Sequence, residues 1–181
     1  MISYLLAGPA EEPVSLAETK AFLRLDCDAE DGLVTTLIAA ARLHVEAVTG
    51  LALVSQSWRL VLDAWPAEAV ALPVTPLREL TAVRVFDIDD DDTELELGQF
   101  LTERGRVLMP AAIEAQEARA RLGIEFDYVA GFGVATNVPP DLKRALLALV
   151  GHWFEYRDVV SAAEVPAVFG RLLENYRQVR L

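Results

Sequence analysis

Between Pro13 and Pro66 the spacing of apolar residues changes once, from a helical period to an alternating one. Ser15 and Glu18 have the Ser-x-x-Glu spacing of a capping box, in which each side chain satisfies a free backbone N–H of the first turn. They predict a helix over 16–25. Asp28 or Asp31 then caps a second helix from about Ala29 to Thr49, and Gly50 ends it. At about 1.5 Å per residue that helix is roughly 30 Å long. Val34, Leu37, Ile38, Ala41, Val45 and Val48 fall on one apolar stripe. Ala39 and Leu43 lie on a second, weaker face, which serves either as further core contact or as a subunit interface.

From Leu53 the period falls to two. Val54, Gln56, Trp58, Leu60 and Leu62 share one face of a strand; Ser55, Ser57, Arg59, Val61 and Asp63 share the other. Further strands are expected over 69–72, 82–88, 94–97, 106–109 and 124–128, punctuated by prolines 66, 73 and 76 and glycines 98 and 105. Residues 111–122 read as a short helix or a loop. The helical period returns at Val138, where two prolines suit a first turn. Leu142, Leu146, Leu149, Val150 and Trp153 form the buried face of that helix. Pro166 opens a last amphipathic helix with Val168, Phe169, Leu172, Leu173, Tyr176 and Val179 on one side. The pattern predicts an α+β, mainly α-helical chain: a helical bundle with an antiparallel β insertion (about 53–129) between the second long helix and the C-terminal helices.

Composition narrows the function classes. The chain has 181 residues, 53% of them apolar, which is enough for one domain with a real core over 1–181. No run approaches the ~18 apolar residues that span a bilayer, and the opening MISYLLAGPAEEP has no basic leader region, so synthesis in the cytosol and no membrane partner are expected. Net charge is −12, the wrong sign for a protein that grips phosphate through Lys and Arg. A negative wall would repel DNA and let it slide past; simple dispersal in water explains the charge equally well.

Candidate chemistry is sparse. Seven of the ten residues from Asp87 to Glu96 are acidic. Counting from Asp87 puts Asp92 at the sixth position and Gly98 at the twelfth, so an EF-hand is excluded. Asp89, Asp90, Asp91 and Asp92 read as a solvated hairpin tip or as a negative rim facing DNA. Cys27 is the single cysteine, and His44 and His152 have no partners at metal-ligand spacing. The AGFG at 130–133 lacks both GxGxxG and a Walker lysine and reads as a turn. No catalytic residue, metal or cofactor is expected. The C-terminal helix stands out instead: its apolar side is accompanied by Arg171, Arg177 and Arg180 in an acidic chain, which suits either its own core or a groove on a partner.

Three stretches carry a resemblance: SLAETKAFLRLD…EDGLVTTLIAAARLHVEAVTG; LVSQSWRLVLDAWP followed by LPVTPLRELTAVRV; and IEFDYVAGFG…VPPDLKRALLALVGHWFEYRD. In this order and spacing the chain resembles the head–tail connector, or adaptor, family of long-tailed phages and phage-like gene transfer agents. The resemblance covers most of residues 13–158. It implies a structural protein without catalytic residues, forming a ring, usually of twelve subunits, under the portal of the filled head. The ring extends the DNA channel without binding DNA specifically and receives a tail-proximal stopper or tail-completion protein, in a virion assembled in the bacterial cytoplasm. On that reading Phe169, Leu172, Leu173, Tyr176, Arg177 and Arg180 dock on the portal from a helix at about 166–181, and Ala39 and Leu43 meet a neighbouring subunit. Another connector-ring or tail-completion protein is the near alternative; an uncharacterised hydrolase or nuclease is the distant one.

Overall fold

A computed structural model of the chain describes residues 1–103, 105–110, 118–156 and 167–176. In chain order the elements are β1 (Ile2–Ala7), α1 (Leu16–Leu23), α2 (Asp31–Thr49), β2 (Gln56–Leu62), β3 (Ala69–Ala71), β4 (Leu77–Phe86), β5 (Asp92–Glu94), β6 (Leu101–Glu103), β7 (Arg106–Leu108), β8 (Ile124–Ala130), α3 (Pro140–Glu155) and α4 (Ala167–Leu173). Among the described residues there are thus four α-helices and eight strands in two antiparallel sheets. The expectation of a mainly helical bundle is corrected to a mixed α+β fold. The reason lies partly at the N-terminus: the apolar ISYLLA pairs antiparallel with β2, so the sheet takes strands from before and after the first two helices in the chain.

The chain divides into two compact units, Met1–Ala10 with Ser55–Phe132, and Glu11–Val54 with Gly133–Leu181. In the strand unit the five-stranded sheet runs β1-β2-β8-β4-β5 and a second sheet runs β3-β7-β6. The β2–β8 register sets Trp58 opposite Tyr128, Leu60 opposite Phe126 and Leu62 opposite Ile124. Val83 and Val85 of β4 continue that row, so alternation puts these residues on one face. Leu60, Val83, Ile124, Phe126 and Tyr128 are fully buried, and the Phe126 ring meets Trp65 and Phe100 edge-on at 6.1 and 6.2 Å. Gly105 turns β6 into β7 at φ +76; a Cβ there would sit 2.7 Å from Thr75 Cγ2, so only glycine fits.

In the helical unit the capping box forms as its spacing predicts: Glu18 N donates to Ser15 Oγ at 3.1 Å and Ser15 N to Glu18 Oε2 at 2.8 Å. The Ser15 backbone N–H first, and then its hydroxyl donating to Oε2 at 2.8 Å, hold the Glu18 carboxyl below its usual value. Arg24, left-handed at φ 59, ends α1. The cap expected on α2 differs. Glu30 takes the N-cap position but its side chain does not cap the helix; Asp28 and Asp31 both face Lys20, at 2.6 and 2.7 Å. The two hydrogen bonds raise the Lys20 ammonium to about 12. Gly50 closes α2 in the left-handed region. Val34, Ile38, Ala41 and Val45 of α2 are buried, as are Leu142, Ala145, Leu146, Leu149 and Val150 of α3. By length and composition α2 also passes as a bilayer-crossing helix. Yet it carries Arg42, whose Nε lies 2.8 Å from Glu12 and Nη1 2.9 Å from Glu46, and its apolar stripe is committed to its own unit. Most of the 111–122 segment and the 161–164 loop lie outside the described residues.

Candidate functional site

The candidate surfaces lie on both compact units of the chain. On the helical unit α4 presents two kinds of side chain. Phe169 is 3% exposed and Leu173 fully buried, and the His44 ring lies 5.5 Å from Phe169 and 5.9 Å from Trp153. Both residues therefore serve the chain's own core, and His44 is packed among aromatics. Leu172 and Tyr176 are half-buried. The Tyr176 hydroxyl donates to Asp141 Oδ1 at 2.9 Å; burial first, then the carboxylate, raises its pKa. Arg177 and Arg180 lie outside the described residues.

Beside Leu172 runs a groove of about 610 Å³ between α1, α3 and α4, lined by Phe22, Pro140, Asp141, Lys143, Arg144, Leu147, Ala148 and Leu172. Its floor is apolar. Phe22 stands half-exposed and lies against Gly151, where a Cβ would come within 3.2 Å of its ring. Among the described residues neither Lys143 nor Arg144 makes a salt bridge, though the Lys143 charge helps lower the Glu18 carboxyl. On α2, Leu43 is 58% exposed and Val48 37%, with Ala39 half-buried beside them. Leu43 thus contributes nothing to the core of its own unit.

The strand unit contributes three surfaces. The first is the acidic turn joining β4 to β5. Asp87 Oδ1 accepts from the Asp89 and Asp91 amides at 2.9 and 3.0 Å, Asp90 is left-handed at φ 67, and Arg119 pairs with Asp90. Asp89, Asp90, Asp91 and Asp92 are exposed, and among the described residues no three His, Cys, Asp or Glu converge on a metal position. Ile88, within this turn, is 88% exposed. Water solvates the carboxylates readily but not the isoleucine.

The other two surfaces were not read from the sequence. One is β1, at the sheet edge, where Ile2, Tyr4, Leu5 and Leu6 are 51, 42, 46 and 45% exposed. An apolar edge strand with an unpaired side is a pairing hazard unless something covers it. The other is the sheet face opposite the aromatic core. There Arg59 Nε and Nη2 donate to Asp127 at 2.6 and 2.7 Å, Arg84 Nη1 reaches the same carboxylate at 2.8 Å, Arg59 Nη1 lies 2.8 Å from Glu125 and Arg84 Nε 3.3 Å from Glu94. Burial works against the Asp127 charge, but hydrogen bonds from Arg59 and Arg84 outweigh it and hold the carboxyl below its usual value. The alternation of Arg59 with Trp58 and Leu60 was the available signal; the acids it meets are far along the chain.

Cys27 is exposed, and the His152 ring leans on Tyr156 at 4.9 Å. A family model described as "Head completion protein" matches residues 12–178. Among solved structures the chain is similar to a chain of "Neck of empty GTA particle computed with C6 symmetry", at 28% identity and TM-score 0.86, over 100% of this chain and 97% of that one. It is similar over the same shares to chains of "Virion of native gene transfer agent (GTA) particle", at 28% and 0.83, and of "Neck of native GTA particle computed with C12 symmetry", at 27% and 0.80. No match was found among curated proteins.

Proposed function

The chain belongs to the head completion protein family, and from that premise we propose that it is the structural connector between head and tail of a phage-like particle, built as a ring of twelve copies under the portal. The observation that carries the reading is the end-to-end likeness, at 28% identity and TM-score 0.86, to a chain of a gene transfer agent neck solved with C6 symmetry. A second neck, solved with C12 symmetry, supports twelve copies. The match over 12–178 runs through both compact units, which supports treating the chain as one adaptor domain. Its work is mechanical: it holds two larger structures together and leaves a passage for DNA. A net charge of −12 suits such a passage, because a wall short of cations has few counterions to release from DNA and little hold on it.

The finer assignments follow the same reading. The ring rests on the portal above and receives a tail-proximal stopper or tail-completion protein below. The segment from Pro166 onward ties the ring to the portal, with Phe169 and Leu173 anchoring its base in the chain's own core and Arg177 and Arg180 beyond it supplying charge. Leu43 and Ala39 lie at the contact between neighbouring subunits. Deleting the gene in a particle-producing cell tests the whole reading. DNA-filled heads without tails are expected; complete, tailed particles would overturn it.

A further inference from the structure

Two surfaces of this one chain are complementary in chemistry, one apolar and basic, the other apolar and acidic. The groove between α1, α3 and α4 is lined by Phe22, Leu147, Ala148 and Leu172 and carries Lys143 and Arg144 against one acid, Asp141, which already accepts from the Tyr176 hydroxyl. The β4–β5 turn projects Ile88, 88% exposed, from a frame of Asp87, Asp89, Asp90, Asp91 and Asp92. We propose that, in the ring, the Ile88 turn of each copy seats in the Lys143–Arg144 groove of the next copy. The inference rests on the connector-ring reading and names the contact that builds it.

Three considerations choose a second copy as the occupant. First, copies that each carry a charge of −12 repel, so they must meet where cations are free to answer acids. Only two lysines exist; Lys20 is held by Asp28 and Asp31. Arg42, Arg59, Arg84 and Arg119 are held by acids of their own chain. Among the described cations without a salt bridge, Lys143 and Arg144 are a pair that borders an apolar floor, and only Glu18 of their own chain draws on the Lys143 charge. Second, every chain carries one turn and one groove. A contact between two different surfaces repeats head to tail and closes into a ring when the rotation closes, as a self-complementary patch does not. Third, the turn is pre-shaped. Asp87 accepts the amides of Asp89 and Asp91, so seating it orders little additional backbone. The acidic turn is thereby placed between subunits and not on an open channel rim.

Cross-linking of assembled necks tests the contact. In a Cys27→Ser background, chains carrying Ile88→Cys are mixed with chains carrying Ala148→Cys and oxidised mildly. The mixture is expected to give a covalent dimer, and a chain carrying both substitutions a ladder of multimers. A ring visible by electron microscopy without that cross-link overturns the contact and leaves the connector reading standing; wild-type necks without any ring overturn the connector reading itself. An Ile88→Cys chain linking to itself, or an Ala148→Cys chain linking to the portal, also overturns the contact. Charge reversal gives a second readout. Lys143→Glu with Arg144→Glu should raise the concentration for half-assembly roughly tenfold, and adding Asp89→Lys with Asp91→Lys should restore it. Unchanged assembly, or failure of the second pair to restore it, overturns the proposal.

Discussion

The helical unit and the strand unit bury their residues by different rules. In α2 and α3 each buried apolar side chain has another buried one three or four positions away, so neighbours along one helix already define the face that packs. In the strand unit the five-stranded sheet has an aromatic and aliphatic core on one face and paired charges on the other, and both depend on register between distant strands. Arg59 and Asp127 are 68 positions apart. The strand unit therefore stakes more on tertiary structure: a slip of one residue in β8 would turn Asp127 into the core and Phe126 out of it.

Removing the shared carboxylate should break this difference most sharply. Asp127→Ala leaves Arg59 and Arg84 facing one another over a lost partner, and loss of one member of a buried ion pair costs about 3–5 kcal/mol. The Asp127 side chain is 10% exposed, so solvent offers little relief. Urea denaturation checks this; a loss under about 1 kcal/mol would mean the row behaves as exposed surface pairs do. Acid sharpens the same point. A carboxyl held below its usual value stabilises the fold above the unfolded pKa, about 3.8 for Asp127, and that stability is lost as pH falls through the lower folded value. Asp28, Asp63 and Glu18 are shifted in the same direction. Stability should hold from neutral pH to about 5 and fall below about 4, and Asp127→Asn should shallow that fall.

The helical unit should answer to volume instead. Leu146, fully buried in α3, should cost about 2–5 kcal/mol when cut to alanine, with the size set by how far the cavity collapses. Ser15→Ala removes the cap of α1 and should cost about 1 kcal/mol; it is a local change, so Glu18→Gln should retain most of the stability that Ser15→Ala loses. The smallest effect is expected at Leu43. Because that residue is 58% exposed, Leu43→Asp should leave the isolated chain within about 0.5 kcal/mol of the parent. Sedimentation should nonetheless show weaker ring formation, if the subunit contact includes this face.

How far the sequence reached varies with the same rule. The capping box at Ser15 and Glu18, the Gly50 stop, the α3 stripe and the resemblance to connector proteins were all legible. The strand at 56–62 was legible too, down to the alternation of Arg59 with Leu60. The cap of α2 was misread, because Lys20, eight positions from Asp28, claims the side chain that the spacing offered to the helix end. The C-terminal helix was read as covering either its own core or a groove on a partner, and Phe169 and Leu173 sit in their own core, Phe169 next to His44. An amphipathic stripe says that a face will be covered and not by what.

By itself, then, the sequence determined the helices, the cap of α1, the Gly50 stop of α2 and the presence of a β region, since these follow from residues within about four positions of one another. It also determined the excess of acid and the scarcity of lysine. Only the tertiary structure decided that the first strand joins the sheet beside β2, that Asp127 gathers two arginines, and that the fold is mixed rather than mainly helical. The same holds for the groove, whose rim and floor come from α1, α3 and α4. Strand pairing and helix packing join residues tens of positions apart, and the free energy that selects one pairing over another resides in contacts that do not exist until the chain has folded.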